Sequence, residues 1–376
     1  MENKAFCIAA ASGIALFILS AVQFAQVPVW KGKIVKEGET TVVQNPKEPI
    51  YRDPILTLRE DLVLGGSKAQ GESMFARARS IAVDNNGNIY VGDFKEACVK
   101  VFDKAGVYLR TIGRPGQGPG EIGFVDSISL TPDNQELIVG EGNRLVVFDI
   151  QGRFRRNLVL RGLASYAFLD RRGNVYAWIS DIRERRNILR LYGPDLTKVL
   201  SDIVVTPVPQ DLNMYSPRDY CILDPQDRLI FGYAKTYEIS FYDEHLKIRK
   251  KIVRAYEPVK VTEEDKKIYM KRSLPPRSSG PPKQPCPSRH AAFRSFFFDD
   301  HGRLFVQTWE RTQDGRQDIH DVYDSEGRFF GRIALNVHPD FINPIPRILK
   351  NNKLYAVEVD AEGYEVVKRY SLTWRH

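Results

Sequence analysis

The chain has 376 residues, enough for one large repeat domain or two average ones, and it is rich in the aromatic residues that favour strands, with 17 Tyr, 20 Phe and 4 Trp. Its 55 Lys and Arg exceed its 47 Asp and Glu, which gives a net charge of +8 and a pI of about 9.1. Because acidic and basic residues are interleaved, the composition argues against a nucleic-acid-binding domain, which would concentrate Lys and Arg on one element.

An uncharged apolar stretch, residues 5–22, follows Lys4 at the start of the chain. This is the pattern of an export signal, and its eighteen residues are also just long enough to span a bilayer. No good small-x-small cleavage site follows, so residues 1–26 are predicted to be either a signal peptide or an uncleaved inner-membrane anchor. Both alternatives put the rest of the chain outside the cytoplasm, in the periplasm or the extracellular space. We expect residues 27–49 to be a linker.

A repeated hairpin begins after this linker. Its first copy, Ser80–Asp93, has the pattern Ser-Ile-Ala-Val-Asp-Asn-Asn-Gly-Asn-Ile-Tyr-Val-Gly-Asp, which predicts a strand, a turn and a second strand. Asp, Asn and Gly suit the turn because they tolerate positive φ or hydrogen-bond their own backbone. Five further copies occur at 130–139, 169–176, 223–231, 298–306 and 349–355.

A second hairpin recurs with an aromatic residue just before its turn. The leading aromatics are Phe102, Phe148, Tyr192, Tyr242 and Tyr323, separated by 46, 44, 50 and 81 residues. A period of about 40–50 residues with four strands per unit is typical of β-propellers. The long fourth step predicts an insertion at 254–291. It should begin with a short helix capped by Thr262 and Asp265 and continue as a Pro-rich surface loop.

The last repeat lacks a fourth strand of its own. The alternating segment 54–64 precedes the first full repeat and has no hairpin partner, so we expect it to complete the last blade. Such closure leaves no sheet edge exposed. The predicted fold is therefore all-β: one six-bladed β-propeller of four-stranded antiparallel blades over residues 50–376, closed by an N-terminal strand that pairs in the last blade.

The first repeat also carries a family resemblance. The hairpin Ser80–Asp93, followed by Val99-Lys-Val-Phe-Asp-Lys-Ala-Gly106, resembles an NHL repeat. Together with the run Ile112–Glu121 and the export-type N-terminus, it resembles a bacterial family of secreted six-bladed β-propellers. The likeness covers roughly residues 50–376 and is closest in the first two repeats. It implies the fold and an extracytoplasmic location, but no particular chemistry.

Alignment of the repeats marks one residue at the start of each innermost strand, and these residues should ring one mouth of the central channel. They are Arg79, Asp126, Ser165, Asp219, Arg294 and, in the sixth repeat, Pro346 with Arg347 beside it. A mixed ring of Arg and Asp would suit a polar ligand or a peptide terminus, because Arg binds anions in bidentate fashion. In a structural alternative, Arg79 pairs with Asp126. Arg294 then pairs with Asp219, and the mouth is closed.

The loops from the second to the third strand of each blade should open on the same face. They carry aromatic and charged residues that suit recognition of a protein or a glycan, although some would serve blade packing. The candidates are Asp93, Phe94, Lys95, Glu141, Asn143, Tyr233, Lys235, Tyr237, Trp309 and Arg311.

Signals of catalysis or of a cofactor are weak. None of the six His precedes His245, so half of the ring offers no His to a metal at the channel. His290 and His320 would contribute to a metal site if they met, with two neutral surface His as the alternative, and a site made of carboxylates alone stays open. The Gly-rich run 113–120 lacks the Lys and Ser/Thr of a phosphate loop and is followed by Glu121, which favours a structural connector. No catalytic residue, metal site or cofactor is predicted.

These observations favour a non-enzymatic binding or scaffolding propeller that recognises a protein, peptide or saccharide on its channel-mouth face. Two alternatives remain. One is a metal-dependent hydrolase or lyase of the lactonase-like propeller class, whose channel carboxylates and Asn would hold a metal that activates water. The other is a structural or sensory ectodomain on an uncleaved N-terminal helix. We expect a monomer that binds no nucleic acid and meets the membrane only through its N-terminal segment.

Overall fold

The repeated hairpins form strands because apolar and polar residues alternate between tight turns. In the first turn, Asp84 accepts hydrogen bonds from the backbone N–H groups of Asn86 and Asn88 at 2.9 and 2.8 Å, and Gly87 has φ +84°. That left-handed conformation favours Gly. The structure, a computed structural model, describes residues 28–160, 163–208, 213–273, 286–336 and 347–375, except for the side chains of 163–166, 272 and 273.

The strands are numbered along the chain. The first three are β1 (Lys33–Glu37), β2 (Thr40–Asn45) and β3 (Leu56–Gly65), and a 3₁₀ turn at Gly71–Ser73 follows them. Blade 1 is β4 (Ala78–Val83), β5 (Ile89–Asp93), β6 (Cys98–Phe102) and β7 (Tyr108–Ile112). Two short parallel strands, β8 (Arg114–Pro115) and β9 (Glu121–Ile122), lie in the Gly-rich run.

Blades 2 to 4 repeat the same antiparallel order from the innermost to the outermost strand. Blade 2 is β10 (Ser127–Leu130), β11 (Glu136–Glu141), β12 (Arg144–Asp149) and β13 (Phe154–Val159). Blade 3 is β14 (Leu163–Leu169), β15 (Val175–Asp181), β16 (Arg186–Tyr192) and β17 (Val199–Pro207). Blade 4 is β18 (Asp219–Leu223), β19 (Leu229–Tyr233), β20 (Glu238–Tyr242) and β21 (Ile248–Arg254).

The helix α1 (Glu263–Ser273) precedes the last two blades. Blade 5 is β22 (Ser295–Phe298), β23 (Leu304–Arg311), β24 (Gln317–Tyr323) and β25 (Phe329–Asn336). Blade 6 is β26 (Arg347–Lys350), β27 (Lys353–Val359) and β28 (Glu365–Trp374), with β3 antiparallel beside β28 from Leu56–Trp374 to Gly65–Val366. The predicted six-bladed propeller and its closure by an N-terminal strand are confirmed.

Apolar side chains fill each of the six boundaries between neighbouring blades. Val99 of blade 1 and Val139 of blade 2 share one cluster, and Leu145 and Val175 lie in the cluster between blades 2 and 3. Four further clusters lie between blades 3 and 4, 4 and 5, 5 and 6, and 6 and 1. Burial of this apolar surface between consecutive sheets is what fixes the blades around one axis.

The segment predicted to be a linker, 27–49, is ordered from the first described residues onward. Strands β1 and β2 form a hairpin, and β2 lies parallel to the outermost strand of blade 4, with Asn45 opposite Arg254. The chain then bonds to blade 5, where the N–H groups of Ile50 and Tyr51 donate to the carbonyls of Phe329 and Phe330. The linker prediction is therefore wrong for these residues. We call residues 28–55 the N-terminal strap.

The insertion lies between β21 and β22. Thr262 and Asp265 form a capping box at the start of α1, with the Thr262 N–H donating to Asp265 Oδ2 at 2.9 Å and the Asp265 N–H donating to Thr262 Oγ1 at 3.1 Å. Lys260 and Arg289 form a single antiparallel bridge at the base of the insertion. Most of the predicted Pro-rich loop, residues 274–285, lies outside the described residues.

The apolar N-terminal stretch also lies outside the described residues, which begin at residue 28. Within the described ranges, no helix is long and apolar enough to cross a membrane.

Candidate functional site

One face of the propeller gathers the starts of the innermost strands, the loops from second to third strands and the insertion. We call it the insertion face. It holds the described residues that the sequence marks as candidates for binding, because a strand that begins on this face returns to it after each hairpin.

The predicted channel-mouth residues have different surroundings. Arg79 lies with its guanidinium 5.4 Å from the ring centre of Phe94, and Asp126 is exposed. Arg294 is only 6% exposed and its Nη1 lies 3.2 Å from Asp318 Oδ2. The side chain of Ser165 and the whole of Pro346 lie outside the described residues. Neither of the ion pairs expected in the structural alternative, Arg79 with Asp126 or Arg294 with Asp219, is present among the described side chains.

Asp219 lies at the boundary between blades 3 and 4, where side chains of blade 3 hold it. Its Oδ2 accepts hydrogen bonds from Thr206 Oγ1 at 2.7 Å and from Asn187 Nδ2 at 3.3 Å. Burial raises the pKa of this carboxyl, while the two hydrogen bonds oppose the rise. Asp219 therefore fixes the seam between blades 3 and 4.

The two acidic residues proposed for recognition in blades 1 and 2 are structural. Asp93 is 0% exposed, and its carboxylate accepts hydrogen bonds from the N–H groups of Ala76, Arg77, Lys95 and Glu96. Glu141 is buried as well and accepts from the Gly123 N–H at 2.9 Å and from Arg144 at 2.6 Å. A carboxylate whose lone pairs are occupied by backbone groups has little capacity for a ligand.

Of the other loop candidates of blades 1, 2 and 4, Tyr237 is buried and the rest are more accessible. Lys95 and Asn143 are exposed, and Asn143 Nδ2 donates to the Leu160 carbonyl at 3.3 Å. Tyr233 is half-buried, and its pKa is raised by burial and by the charge of Asp219. Phe94 packs on Phe124 at a ring distance of 5.7 Å, so it joins blades 1 and 2.

A buried ionic network that the sequence does not predict joins blades 4 and 5. Asp321 has no exposed surface and accepts hydrogen bonds from Tyr237 Oη at 2.6 Å, from Arg332 Nε at 3.0 Å and from Arg254 Nη1. Arg332 in turn bonds Glu310 at 3.0 and 3.2 Å. Burial raises the pKa of Asp321, and the two guanidinium groups counter it. The available signal was a carboxylate, Asp321, directly before the apolar pair Val322-Tyr323 that precedes the second turn of the repeat.

A second buried cluster lies toward the channel in blades 5 and 6. Asp318 Oδ2 accepts from Arg294 and from Gln307 Nε2, the latter at 2.8 Å. His320 Nε2 lies 2.9 Å from Arg347 Nη1, which can only donate, so the His320 proton is on Nδ1, 3.2 Å from the Asp318 carbonyl. Burial, with the charge of Arg347, holds the pKa of His320 well below its usual value. This histidine is neutral.

Trp309 connects these clusters to the insertion. The His290 ring stacks on Trp309 with centroids 4.2 Å apart, and Arg294 lies 4.8 Å from the Trp309 ring centre. His290 Nε2 bonds Asp265 Oδ2 at 3.1 Å. Arg311 reaches both Asp265 and Asp318, at 4.0 and 3.6 Å. His290 and His320 thus belong to separate clusters, and the described residues hold no group of three or more His, Cys, Asp or Glu that would suit a metal ion.

A pocket of about 340 Å³ opens beside Trp309, between the base of the insertion, blade 5 and the strap. Two predicted recognition residues, Tyr237 and Trp309, are among the residues that line it. The other lining residues are Lys47, Glu48, Arg254, Tyr256, Glu257, Pro258, Val259, Lys260, Arg289, Ala291, Ala292, Thr308, Glu310 and Arg332.

Most charged groups of this pocket are paired, but two cations are not. Lys47 bonds Glu257 at 2.7 Å, and the two arginines of the buried network are already bound to carboxylates. Lys260 and Arg289 have no carboxylate within 4 Å in the described part of the chain, and Arg289 Nη1 donates only to the Pro258 carbonyl, at 2.7 Å. Lys47 and, more weakly, Arg289 lower the pKa of the Glu257 carboxyl, so that carboxylate offsets part of the charge. The pocket still presents Lys260 and Arg289 without ion pairs next to aromatic rings, within the described part of the chain.

Comparisons with known proteins agree with the fold. A family model described as a 6-bladed beta-propeller, DUF5128, matches residues 72–191, which contain blades 1 and 2 and most of blade 3. No curated protein sequence matches the chain.

Solved structures show the same architecture at low sequence identity. A Bacteroides fragilis protein described as exported is 11% identical with a TM-score of 0.55, over 89% of this chain and 100% of that one. A member of the DUF4221 family from Bacteroides vulgatus is 13% identical with a TM-score of 0.53, over 86% of this chain and 100% of that one. A PQQ-bound aldose sugar dehydrogenase from Streptomyces coelicolor reaches a TM-score of only 0.45, at 11% identity over 86% of this chain and 100% of that one. The first two similarities establish the fold alone.

Proposed function

We propose that the protein is a non-enzymatic binding propeller outside the cytoplasm, which recognises a protein, peptide or saccharide through an anionic group on its ligand. The observation that carries this proposal is the pocket on the insertion face, with Lys260 and Arg289 at its edge. Pockets that combine apolar ring surface with a few convergent polar groups are typical ligand sites.

The two cations are held close together by the backbone. Lys260 and Arg289 are direct partners in an antiparallel bridge, and like charges directly opposite each other are destabilising. An anion bound between them would relieve that repulsion and accept charge-assisted hydrogen bonds from both. Because Arg289 presents a planar fork of donors, a carboxylate or a similar planar oxyanion suits it best.

Aromatic side chains supply the second part of the site. Tyr256 and Trp309 are half-buried at the pocket, and the Trp309 ring is fixed by its stack on His290. Rigid aromatic rings offer contact area at little entropic cost, as at protein and saccharide recognition sites. The ligand would thus place an anionic group at Lys260 and Arg289 and an apolar surface against the rings.

Binding to arrays tests the proposal. Peptides ending in a free carboxylate are compared with the same peptides ending in a carboxamide, and glycans containing uronic acids with their neutral counterparts. We expect retention of acidic members and a loss of about tenfold or more in affinity for K260A/R289A, because two charge-assisted contacts disappear. The matched control K198A/R172A removes two exposed cations on the opposite face and should bind as the wild type does.

Equal retention of acidic and neutral probes would refute the anion site, as would wild-type affinity in K260A/R289A. The location is tested separately by fractionation of the cells that make the protein. Recovery in the cytoplasm would contradict the export that the N-terminal sequence favours.

The metal-dependent hydrolase or lyase remains the competing hypothesis, and no cluster of ligands among the described residues favours it. Elemental analysis of purified protein is the direct comparison. Stoichiometric metal together with hydrolysis of a lactone that stops on chelation would favour the enzyme over the binding protein.

A further inference from the structure

The base of the insertion is a two-stranded ribbon in which some backbone groups have no partner. Backbone bonds from the N–H groups of Val261 and His290, at 3.1 and 2.9 Å, join its strands on either side of the bridge between Lys260 and Arg289. The bridge is therefore a non-hydrogen-bonded pair. In such a pair the side chains lie close together, while the N–H and carbonyl of each residue point away from the opposite strand.

The strand edge at Lys260 lies beside the pocket. Residues 256–260 all line the pocket, and within the described ranges neither the N–H nor the carbonyl of Lys260 has a hydrogen-bond partner. The strap pairs with the preceding residues only as far as the bond from the Ala255 N–H to the Asn45 carbonyl, at 3.1 Å, and then continues to blade 5. An unpaired strand edge is a template on which another extended chain can add as a strand.

The two cations lie at this edge. Arg289 Nη1 donates to the Pro258 carbonyl at 2.7 Å, so the guanidinium reaches across the ribbon to the strand that carries Lys260. Both cations are exposed. A carboxylate placed between them would accept charge-assisted hydrogen bonds from both. The edge and the cations together suit an extended chain that carries a carboxylate.

The polar side chains of the pocket favour a peptide over a saccharide. The buried hydroxyl groups of a saccharide each need a hydrogen-bond partner. In this pocket Tyr237, Arg254 and Arg332 already bond Asp321, and Arg332 also bonds Glu310. A peptide needs few free side chains, because its own backbone can bond the strand edge.

The aromatic surface leads to the same choice. The His290 ring stacks on Trp309 at 4.2 Å, and Arg294 lies 4.8 Å from the centre of the Trp309 ring. Little of this ring is therefore left for a sugar to stack on. Val259 and Ala291 add small apolar side chains to the lining, which suit a side chain of a bound peptide.

We infer that the ligand of the pocket is an extended peptide, which adds as a third strand to the ribbon at Lys260 and places a carboxylate against Lys260 and Arg289. This inference rests on the proposed anion site and names the class of its ligand. The peptide accepts a hydrogen bond from the Lys260 N–H and donates one of its own N–H groups to the Lys260 carbonyl. The carboxylate lies within a residue or two of that contact, because an extended residue spans only about 3.3 Å.

N-methylation of the peptide tests the strand pairing on the full chain. A library of hexapeptides with free carboxyl termini is screened beside uronic-acid oligosaccharides, and the best-retained peptide is methylated on one backbone nitrogen at a time. We expect affinity to fall about tenfold or more at a single position and to stay near normal at both neighbouring positions, because only one peptide N–H faces the Lys260 carbonyl. Carboxamide, Asn and Gln versions show whether the carboxylate is terminal or on a side chain.

Substitutions by Pro test the same pairing from the side of the protein. K260A removes the charge of Lys260, and K260P removes its N–H as well, although no hydrogen bond of the ribbon is lost. We expect K260P to bind the peptide several-fold more weakly than K260A. The matched control is R289P against R289A. The Arg289 N–H is also unpaired in the described part of the chain but lies on the other edge, so these two variants should bind equally.

Thermal denaturation shows whether the Pro variants are folded, and the N-methylation scan does not depend on them. Retention of uronic-acid oligosaccharides without retention of any peptide would overturn the inference and leave the anion site intact. Equal affinity of all N-methylated peptides would show that the carboxylate alone holds the peptide, as would equal binding by K260P and K260A. Wild-type affinity for acidic probes in K260A/R289A is the separate result that would refute the proposed function itself.

Discussion

The boundary between blades 1 and 2 and the boundary between blades 4 and 5 are formed by equivalent strands. They differ in the side chains that they bury. Between blades 1 and 2, apolar side chains such as Val99, Val139 and Phe148 form a continuous cluster. Between blades 4 and 5, the apolar cluster is joined by the ionic network of Asp321 and Arg254. The boundary between blades 1 and 2 thus depends mainly on apolar packing, whereas the boundary between blades 4 and 5 adds paired charges.

The difference follows the two additions to the ring. Arg254 ends the strand on which the strap lies and donates to the Lys47 carbonyl at 3.2 Å, so the network touches the strap directly. The insertion starts one residue later. A buried charge is stable only when it is paired and hydrogen-bonded, which makes such a network sensitive to geometry. The comparison indicates that blades 4 and 5 use paired charges to position added segments that the regular blades lack.

The largest effect is expected from Asp321→Ala. The substitution leaves Arg254, which is 5% exposed, buried without its carboxylate partner, and loss of one member of a buried pair costs about 3–5 kcal/mol. Urea denaturation measures the change. Asp324→Ala in the same blade is the matched control: it removes a turn carboxylate that accepts two backbone hydrogen bonds and should cost about 1 kcal/mol. Similar losses for both variants would erase the distinction between the boundaries.

Local sequence was sufficient for the blades because their turns are local. The Asp84 turn and the spacing from Phe102 to Phe148 identify hairpins without knowledge of distant partners. The same approach located the starts of the innermost strands but not the environment of Arg294, whose partner Asp318 lies on the third strand of its blade. Side-chain partners across strands depend on register and packing, which a single sequence does not reveal.

The strap is a stronger example of a partner that a single sequence does not reveal. Residues 33–45 carry an alternating hairpin pattern around Gly38, with φ +60°, so the two strands were detectable. Their partner, the outer strand of blade 4, is about 200 residues away and pairs in parallel, which no local rule indicates. For the same reason the pocket was missed, because strap, insertion and blade 5 meet there only in three dimensions.

A smaller effect is expected from Asn45→Ala. This substitution tests whether the hydrogen bonds of Asn45 stabilise the strap against the propeller. The change leaves the Phe329 N–H and the Gly327 carbonyl buried without partners, at a cost of about 1–3 kcal/mol. Hydrogen exchange should rise across β1 and β2 while blades 1 to 3 keep their protection. Asn85→Ala, on an exposed turn of blade 1, is the control and should stay within about 0.5 kcal/mol of the wild type. If exchange in the strap does not change, the strap is not held by this clip.

The smallest effect is expected at the pairing of β3 with β28, which closes the ring. The charged side chain of Asp61 lies at this pairing. Burial acts to raise the pKa of Asp61, but hydrogen bonds from Lys353, Ser371 and Arg369 lower it from 3.8 to about 2. A carboxyl whose pKa is lower in the folded state stabilises the fold above its unfolded pKa, and the contribution is lost as pH falls from about 4 toward 2. Since ion pairs near the surface contribute little, we expect a loss of about 1 kcal/mol.

Asp61→Asn should be less stable than the wild type at pH 6 and should approach it at pH 2, measured by thermal denaturation across that range. Glu37→Gln, an exposed carboxylate without an ion pair in the described part of the chain, should keep the wild-type pH profile. If Asp61→Asn retains the acid-dependent loss in full, closure does not rely on this carboxylate, and backbone pairing with β28 together with apolar packing holds β3 in blade 6.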